Sequence, residues 1–110
     1  MARANQFRLV LVTCGSIGEA RKIARAIVEK RLAACANILL APVESIYRWK
    51  RKLQRSREHL LLIKTRTRSL KALEREVLRL HSYETPEFIA LRISAGASAY
   101  LAWIARALAE

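Results

Sequence analysis

A chain of 110 residues with 53% apolar residues and 21 basic against nine acidic side chains describes a small, strongly basic globular protein. This length fits one domain covering residues 1–110, and the apolar content excludes a disordered chain. No apolar run approaches the ~20 residues that a bilayer span requires, so we expect no membrane partner. The net charge of +12 suits a partner that carries phosphates, although a solvated basic surface is the commoner meaning of such an excess.

The apolar N-terminal stretch leads directly into a helix signal, so we interpret it as a first strand rather than a secretion signal. The two cysteines, Cys14 and Cys35, make no disulfide framework and lack the CxxC spacing of a zinc or redox site. We interpret them as buried, reduced thiols. Because reduced thiols are the usual state in the cytoplasm, we predict a cytoplasmic protein.

The first half of the chain predicts a strand, a helix and a long hairpin. Residues 7–14 are almost continuously apolar, as in a central strand. Ser16 with Glu19 forms a capping box, and an apolar stripe at helical spacing follows to about residues 32–34. Two extended runs, 38–49 and 59–65, then predict the hairpin, with a short basic segment between them. Pro42 cannot donate to a strand ladder, so we expect a bulge or an edge there.

The second half predicts a helix, a short strand and a terminal helix. Apolar residues at three- and four-residue spacing indicate the first of these helices: Leu70, Leu73, Val77 and Leu80. A strand over 87–93 and a helix over 97–108 follow. The order β-α-β-β-α-β plus a C-terminal helix predicts an α+β, ferredoxin-like split βαβ sandwich. Right-handed crossovers place both main helices on one face of a four-stranded sheet, so the other face needs cover from the third helix or from neighbouring subunits.

Several segments together resemble the CutA family of divalent-cation tolerance proteins. They are EKRLAACANI (29–38), SIYRWKRKL (45–53), E-x-L-L-L-I-K-T (58–65), HSYETPE (81–87) and YLAWI (100–104). The resemblance implies a trimer-forming ferredoxin-like fold and a homotrimer similar to the PII signalling proteins. It also implies a role in the tolerance of, or response to, divalent metal ions, notably copper, as a metal- or small-ligand-binding protein without enzymatic turnover.

The resemblance further implies which residues form the site. The motif positions expected near clefts between subunits predict a ligand-binding cleft for an unknown small ligand: Tyr47, Trp49, Lys64, Thr65, Tyr83 and Glu84. His81 is the predicted metal ligand, with a divalent cation such as copper as the candidate cofactor. A lone His at a helix end can instead interact only with the helix dipole. Lys64 can instead pair with a carboxylate such as Glu84 or Glu87, and the aromatic residues can instead pack a subunit interface.

Two positions depart from the family pattern. The hairpin tip W-x-G-K of the family is here Trp49-Lys50-Arg51-Lys52. Arg51 must therefore adopt the left-handed conformation at a cost, or the turn must use another geometry. The H-P-Y-E motif is here His81-Ser82-Tyr83-Glu84, and the lost proline loosens this loop.

Two other functions stay open on the sequence alone. A basic ferredoxin-like nucleic-acid-binding module is suggested by the stretch from Arg48 to Arg68, where nine basic residues accompany one acid, Glu58. Against it, no RNP-type aromatic run occurs, so we expect no nucleic-acid partner. An enzyme using Lys64 or His81 is the other, but the chain has no P-loop, Rossmann glycine pattern or nucleophile elbow. We therefore expect a protein that is not an enzyme.

Overall fold

The computed structural model describes residues 6–109, which form five strands and three helices. The strands are β1 (Phe7–Cys14), β2 (Cys35–Ile38), β3 (Val43–Trp49), β4 (Lys52–Arg66) and β5 (Ile89–Arg92). The helices are α1 (Ile17–Glu29), α2 (Leu70–Leu80) and α3 (Ser98–Ala109), and one 3-10 turn at Thr67–Ser69 precedes α2. None of the helices in this range has the length and apolar character needed to cross a membrane.

All strand pairs are antiparallel, in the order β2-β4-β1-β5, and β3 pairs separately with β4. With 15 residues at about 3.4 Å each, β4 is long enough to run the length of the molecule, whose longest dimension is 48 Å. The second half of β4 lies between β1 and β2 inside the sheet, whereas its first half pairs only with β3. The predicted α+β, ferredoxin-like arrangement around a central hairpin is confirmed.

The hairpin differs from the prediction in where its strands begin and break. The run 38–49, expected as one strand, is divided because Ile38 opposes Leu61 while Val43 opposes Glu58, so four residues face two. Pro42 lies in this bulge, as its missing N–H requires. The basic segment expected between the strands instead forms the start of β4. Long basic side chains keep their charged ends in water while the backbone pairs with β3.

The turn of the hairpin contains only two residues, Lys50 and Arg51, because Trp49 already opposes Lys52. Both turn residues have positive φ, 51° and 69°. Positive φ at both central positions defines a type I′ turn, whose twist matches that of the flanking strands. Arg51 thus adopts the left-handed conformation where the family pattern has glycine.

The main core lies between the sheet and the pair α1 and α2. Alternate residues of a strand point to opposite faces, so Val10 and its cross-strand partner Ile63 both point at the helices. The buried apolar residues of this core include Val12, Ile23, Ile27, Leu61, Leu73 and Val77. A smaller cluster joins α3 to the start of β1 through Phe7, Leu101 and Ile104. The third helix therefore covers only part of the second face of the sheet.

Three element boundaries depend on local backbone geometry. Ser16 caps α1 by accepting a hydrogen bond from the Glu19 N–H at 3.1 Å, as half of the predicted capping box. The helix ends at Glu29 rather than at 32–34, because Arg31 takes a positive φ of 58° just beyond it. The strand expected over 87–93 is shortened to Ile89–Arg92.

Candidate functional site

Three side chains with metal-binding atoms meet at the carboxyl end of β1. Cys14 is the last residue of this strand, Glu19 lies in the first turn of α1, and His81 caps the end of α2. One ligand atom of each lies within 4.8 Å of the other two. The convergence follows from the fold, because α1 leaves β1 at this point and α2 packs beside α1 on the same core. Thiolate, carboxylate and imidazole together suit a borderline or soft divalent ion such as copper or zinc.

The imidazole of His81 is fully buried and bonded at both nitrogens. Its Nε2 lies 2.8 Å from the backbone oxygen of Thr13, and its Nδ1 accepts the N–H of Tyr83 at 3.1 Å. A carbonyl oxygen only accepts, so Nε2 carries the hydrogen and Nδ1 is the nitrogen that accepts. His81 is thus oriented by β1 and by its own loop, with the Nδ1 lone pair on the side of Glu19. Its ring is not directed at the last carbonyls of α2.

Glu19 contributes more than the helix cap that its sequence position predicts. One carboxylate oxygen, Oε2, accepts the N–H of Ser82 at 2.9 Å. The other, Oε1, is buried, has no hydrogen-bond partner among residues 6–109, and lies 3.8 Å from Nδ1 of His81. A buried, unbonded carboxylate oxygen is costly, so this atom is a candidate ligand for a cation.

The thiol of Cys14 is protonated at neutral pH in the protein alone. Burial, followed by the charges of Glu19 and Glu58, raises its pKa to about 12. Metal coordination by a thiol requires the thiolate, so an ion entering this cluster must displace the Cys14 proton. The donor set therefore fits a divalent ion whose binding strengthens as pH rises. The cluster of Cys14, Glu19 and His81 is called the metal cluster below.

A cleft of about 600 Å³ lies between the hairpin and the loop that follows α2. Four predicted ligand-binding residues line it: Tyr47 and Trp49 from β3, and Tyr83 and Glu84 from the loop. The lining also includes Thr13, Glu58 and Glu87, which the sequence did not single out as site residues. Burial, followed by the charge of Glu58, raises the pKa of Glu87. This space is called the hairpin cleft below.

Lys64 and Thr65, the other two predicted cleft residues, lie elsewhere on this protomer. The ammonium group of Lys64 donates to the side-chain oxygen of Asn37 and lies 4.0 Å from Sγ of Cys35. It forms no ion pair with Glu84 or Glu87 within residues 6–109. The Thr65 hydroxyl is buried and donates to the backbone oxygen of Leu32 at 2.7 Å, which ties β4 to the segment after α1.

Tyr83 connects the metal cluster to the hairpin cleft. Its backbone N–H donates to His81, its ring centroid lies 4.6 Å from that of His81, and its hydroxyl donates to Glu58 at 2.8 Å. Burial and the Glu58 hydrogen bond raise the pKa of Tyr83, so the phenol stays a donor. A Cβ on Gly15 would lie 3.1 Å from the Tyr83 hydroxyl, so a glycine leaves room for this ring.

Sequence reasoning missed Glu19 and Glu58 as site residues for different reasons. The role of Glu19 depends on how α1 and α2 pack, and its local pattern signals only a cap. Glu58 did carry a signal, because it is the single acid among nine basic residues between Arg48 and Arg68. A single acidic residue within so long a basic stretch is a signal for a specific contact of that residue.

Three comparisons with known proteins identify the same protein family. A family model described as CutA1 divalent ion tolerance protein matches residues 8–107. The chain is 46% identical over 96 residues to the divalent-cation tolerance protein CutA of Thermus thermophilus, covering 87% of this chain and 92% of that protein. It is also 46% identical over 93 residues to Protein CutA of Mus musculus, covering 84% of this chain and 52% of that protein, so it spans about half the length of this relative.

A solved structure agrees with these matches. The periplasmic divalent cation tolerance protein CutA of Archaeoglobus fulgidus superposes with a TM-score of 0.89 at 34% identity, covering 93% of this chain and 98% of that one. Unrelated proteins can share a fold, but they do not share this much sequence over nearly the whole chain. The chain therefore belongs to the CutA1 divalent ion tolerance family.

Proposed function

We propose that this protein is a homotrimer that binds a divalent cation, contributes to copper tolerance and responds to ligands in the manner of PII signalling proteins. It acts without enzymatic turnover, and we propose that it does so in the cytoplasm. The observation that carries the metal-binding role is the buried, unbonded Oε1 of Glu19 beside the Cys14 thiol and Nδ1 of His81.

Copper suits the donor set of the metal cluster better than the hard divalent ions do. Magnesium and calcium prefer six or more oxygen ligands, whereas this cluster offers one sulfur, one nitrogen and one carboxylate. Among first-row divalent ions, copper binds such mixed sites most tightly. Metal binding would use these three side chains where they lie. It would release the thiol proton of Cys14 and break the hydrogen bond from Tyr83 to Nδ1 of His81.

The trimer is supported by apolar surface that the protomer leaves uncovered. Ile46 on β3 is 64% exposed and Leu53 on β4 is 72% exposed, at the part of the hairpin that pairs with no other strand. All four residues of the edge strand β5 are exposed, including Ile89 and Leu91. Strand edges and apolar patches of this kind favour association with another chain. The hairpin cleft opens on the same region, which supports a ligand site that neighbouring copies help to form.

The proposed cytoplasmic location rests on the two free thiols of the protein. Cys14 and Cys35 are both free, which agrees with a reducing compartment. The Archaeoglobus fulgidus relative is described as periplasmic, so fractionation of cells that produce this chain is the direct test. Recovery with the periplasmic fraction would contradict the proposal.

Calorimetric titration with copper under anaerobic conditions tests the metal role. We expect saturable binding to the wild type, and a loss of about tenfold or more for His81→Ala and for Cys14→Ser, because each removes a ligand. His59→Ala and Cys35→Ser are the matched controls, since neither residue belongs to the metal cluster. Equal affinity of the wild type and His81→Ala would remove His81 from the site. Equal affinity for Cys14→Ser as well would reject the metal cluster as a whole.

A further inference from the structure

The wall of the hairpin cleft carries charge opposite to that of the chain as a whole. Glu58, Glu84 and Glu87 are three of the nine acidic residues, and all three line this one cleft. Among residues 6–109, no lysine or arginine lines it, although the full chain has 21 of them. In a protein with a net charge of +12, an acidic cleft without basic residues is a selective surface for cations.

Glu58 is a buried carboxylate without a counter-charge. The residue is 7% exposed, and its only hydrogen-bond partner within residues 6–109 is the neutral hydroxyl of Tyr83. Among the described residues, no Lys, Arg or His has a nitrogen within 4.0 Å of the Glu58 carboxylate, the distance limit for an ion pair. Buried carboxylates are normally paired, because removing a charge from water is costly. No basic residue among residues 6–109 supplies this partner, so a bound cation can supply it.

Thr13 gives a second, independent indication of a ligand. It is 8% exposed, lines the cleft with Glu58, and its hydroxyl has no hydrogen-bond partner in the described part of the chain. Its backbone oxygen is already used by His81, so only the side chain is free. A hydroxyl without a partner among residues 6–109, on a residue that lines the cleft together with Glu58, fits a ligand with several N–H donors, such as an ammonium or guanidinium group.

The shape and chemistry of the remaining wall favour an organic cation over a metal ion. Tyr47, Trp49 and Tyr83 line the cleft, and aromatic rings attract ammonium and guanidinium groups while packing against hydrocarbon. Within residues 6–109, metal-ligating atoms converge only at the metal cluster, so the three cleft carboxylates do not surround one point. Separate carboxylates around a volume of about 600 Å³ suit a molecule with separated positive groups.

We propose that the hairpin cleft binds a small aliphatic amine or guanidine of about the size of a diamine, with Glu58 as its buried counter-charge. Glu84 and Glu87 lie nearer the solvent and attract the second positive group. The aromatic side chains select against hydrated inorganic ions, because they replace water with apolar surface. This inference rests on the proposed assignment of the cleft to a small ligand and adds the chemical class of that ligand.

Calorimetric titration of the whole protein with putrescine and with agmatine tests the proposal. We expect saturable binding to the wild type and a loss of about tenfold or more for Glu58→Gln, which keeps the shape and removes the charge. Glu44→Gln is the matched control, because it removes the same charge from the same hairpin outside the cleft. Circular dichroism and melting check that each variant folds, and Glu87→Gln, with a smaller expected loss, provides a second variant.

Each outcome decides a different point. Saturable binding of the neutral 1,4-butanediol or of succinate, lost in Trp49→Ala, would keep the cleft as a ligand site and overturn the cationic class. No binding of any of these probes would overturn both, including the case in which a basic residue of a neighbouring copy already pairs with Glu58. Unchanged amine affinity in Glu58→Gln would also overturn the proposal. The metal cluster is tested separately by the copper titrations of His81→Ala and Cys14→Ser, whose outcome does not depend on amine binding.

Discussion

The two halves of strand β4 carry similar apolar residues in opposite surroundings. Leu61, in the second half, is completely buried under α1 and α2, whereas Leu53, near the hairpin turn, is 72% exposed. The first site is covered by the chain itself. The second has no cover within residues 6–109, as expected for a side chain that another molecule buries. The chain thus buries Leu61 by itself, whereas it leaves Leu53 on the hairpin uncovered.

Charged residues show the same difference. Glu76 on α2 is almost buried and pairs with Lys30 at 2.6 Å and with Arg79 at 2.8 Å. Glu58, at the base of the hairpin, is just as buried and has no basic partner in the described chain. The buried carboxylate of α2 therefore has its counter-charges within the chain. Within residues 6–109 the hairpin lacks such cover and its cleft lacks such a counter-charge, so we propose that the other subunits and the ligand bind there.

The largest expected effect on stability comes from a substitution in the main core. Leu61→Ala leaves a cavity in a closed core, so we expect the free energy of unfolding to fall by about 2–5 kcal/mol. Chemical denaturation at fixed protein concentration measures it. A loss below about 1 kcal/mol would show that Leu61 does not lie in a closely packed core.

Leu53→Ala makes the same chemical change on the uncovered half of the strand. If other copies bury this side chain, we expect a loss of about 1–3 kcal/mol, close to the cost of an interior leucine. The unfolding midpoint should also depend on protein concentration, because association stabilises the folded state. A loss within about 0.5 kcal/mol, as for an ordinary surface residue, would mean that Leu53 stays in water.

The charge comparison predicts a specific dependence on pH. The hydrogen bond from Arg79, followed by that from Lys30, lowers the pKa of Glu76 from 4.5 to about 2. A group with a lower pKa in the folded state stabilises the protein above its unfolded pKa, and this contribution disappears as pH falls through the folded value. We therefore expect Glu76→Gln to remove part of the loss of stability between about pH 4.5 and pH 2. Urea denaturation of both proteins across this range measures it, and identical pH slopes would contradict the pairing.

The smallest expected effect is at the hairpin turn. Arg51 holds φ at 69°, where glycine avoids the steric cost of a side chain, so Arg51→Gly should stabilise the protein by about 0.5–1 kcal/mol. Arg48→Gly, in the neighbouring strand, is the control and should destabilise by a similar amount. The melting temperatures of the two variants compare the effects directly. A destabilising Arg51→Gly would mean that the Arg51 side chain makes a contact in the assembled protein.

The sequence predicted those features that depend on local pattern. The bounds of β1 and α2 follow from apolar runs and spacing, and the break near Pro42 follows from its missing N–H. The start of β4 was missed because basic residues resemble a solvated loop, although strand pairing tolerates them on an open hairpin. Long-range contacts explain the other differences: the orientation of Glu19 and the partners of Lys64 depend on elements distant in sequence.

The most direct test of the account is the mass of the wild-type protein in solution. Size-exclusion chromatography with light scattering should give about three times the 12.5 kDa of one chain, because we propose that neighbouring copies cover the exposed hairpin and β5. Ile46→Arg combined with Leu53→Arg should lower that mass by placing charge on the uncovered apolar surface. A wild-type mass of one chain at micromolar concentration would contradict the central claim that other copies of the chain cover the hairpin.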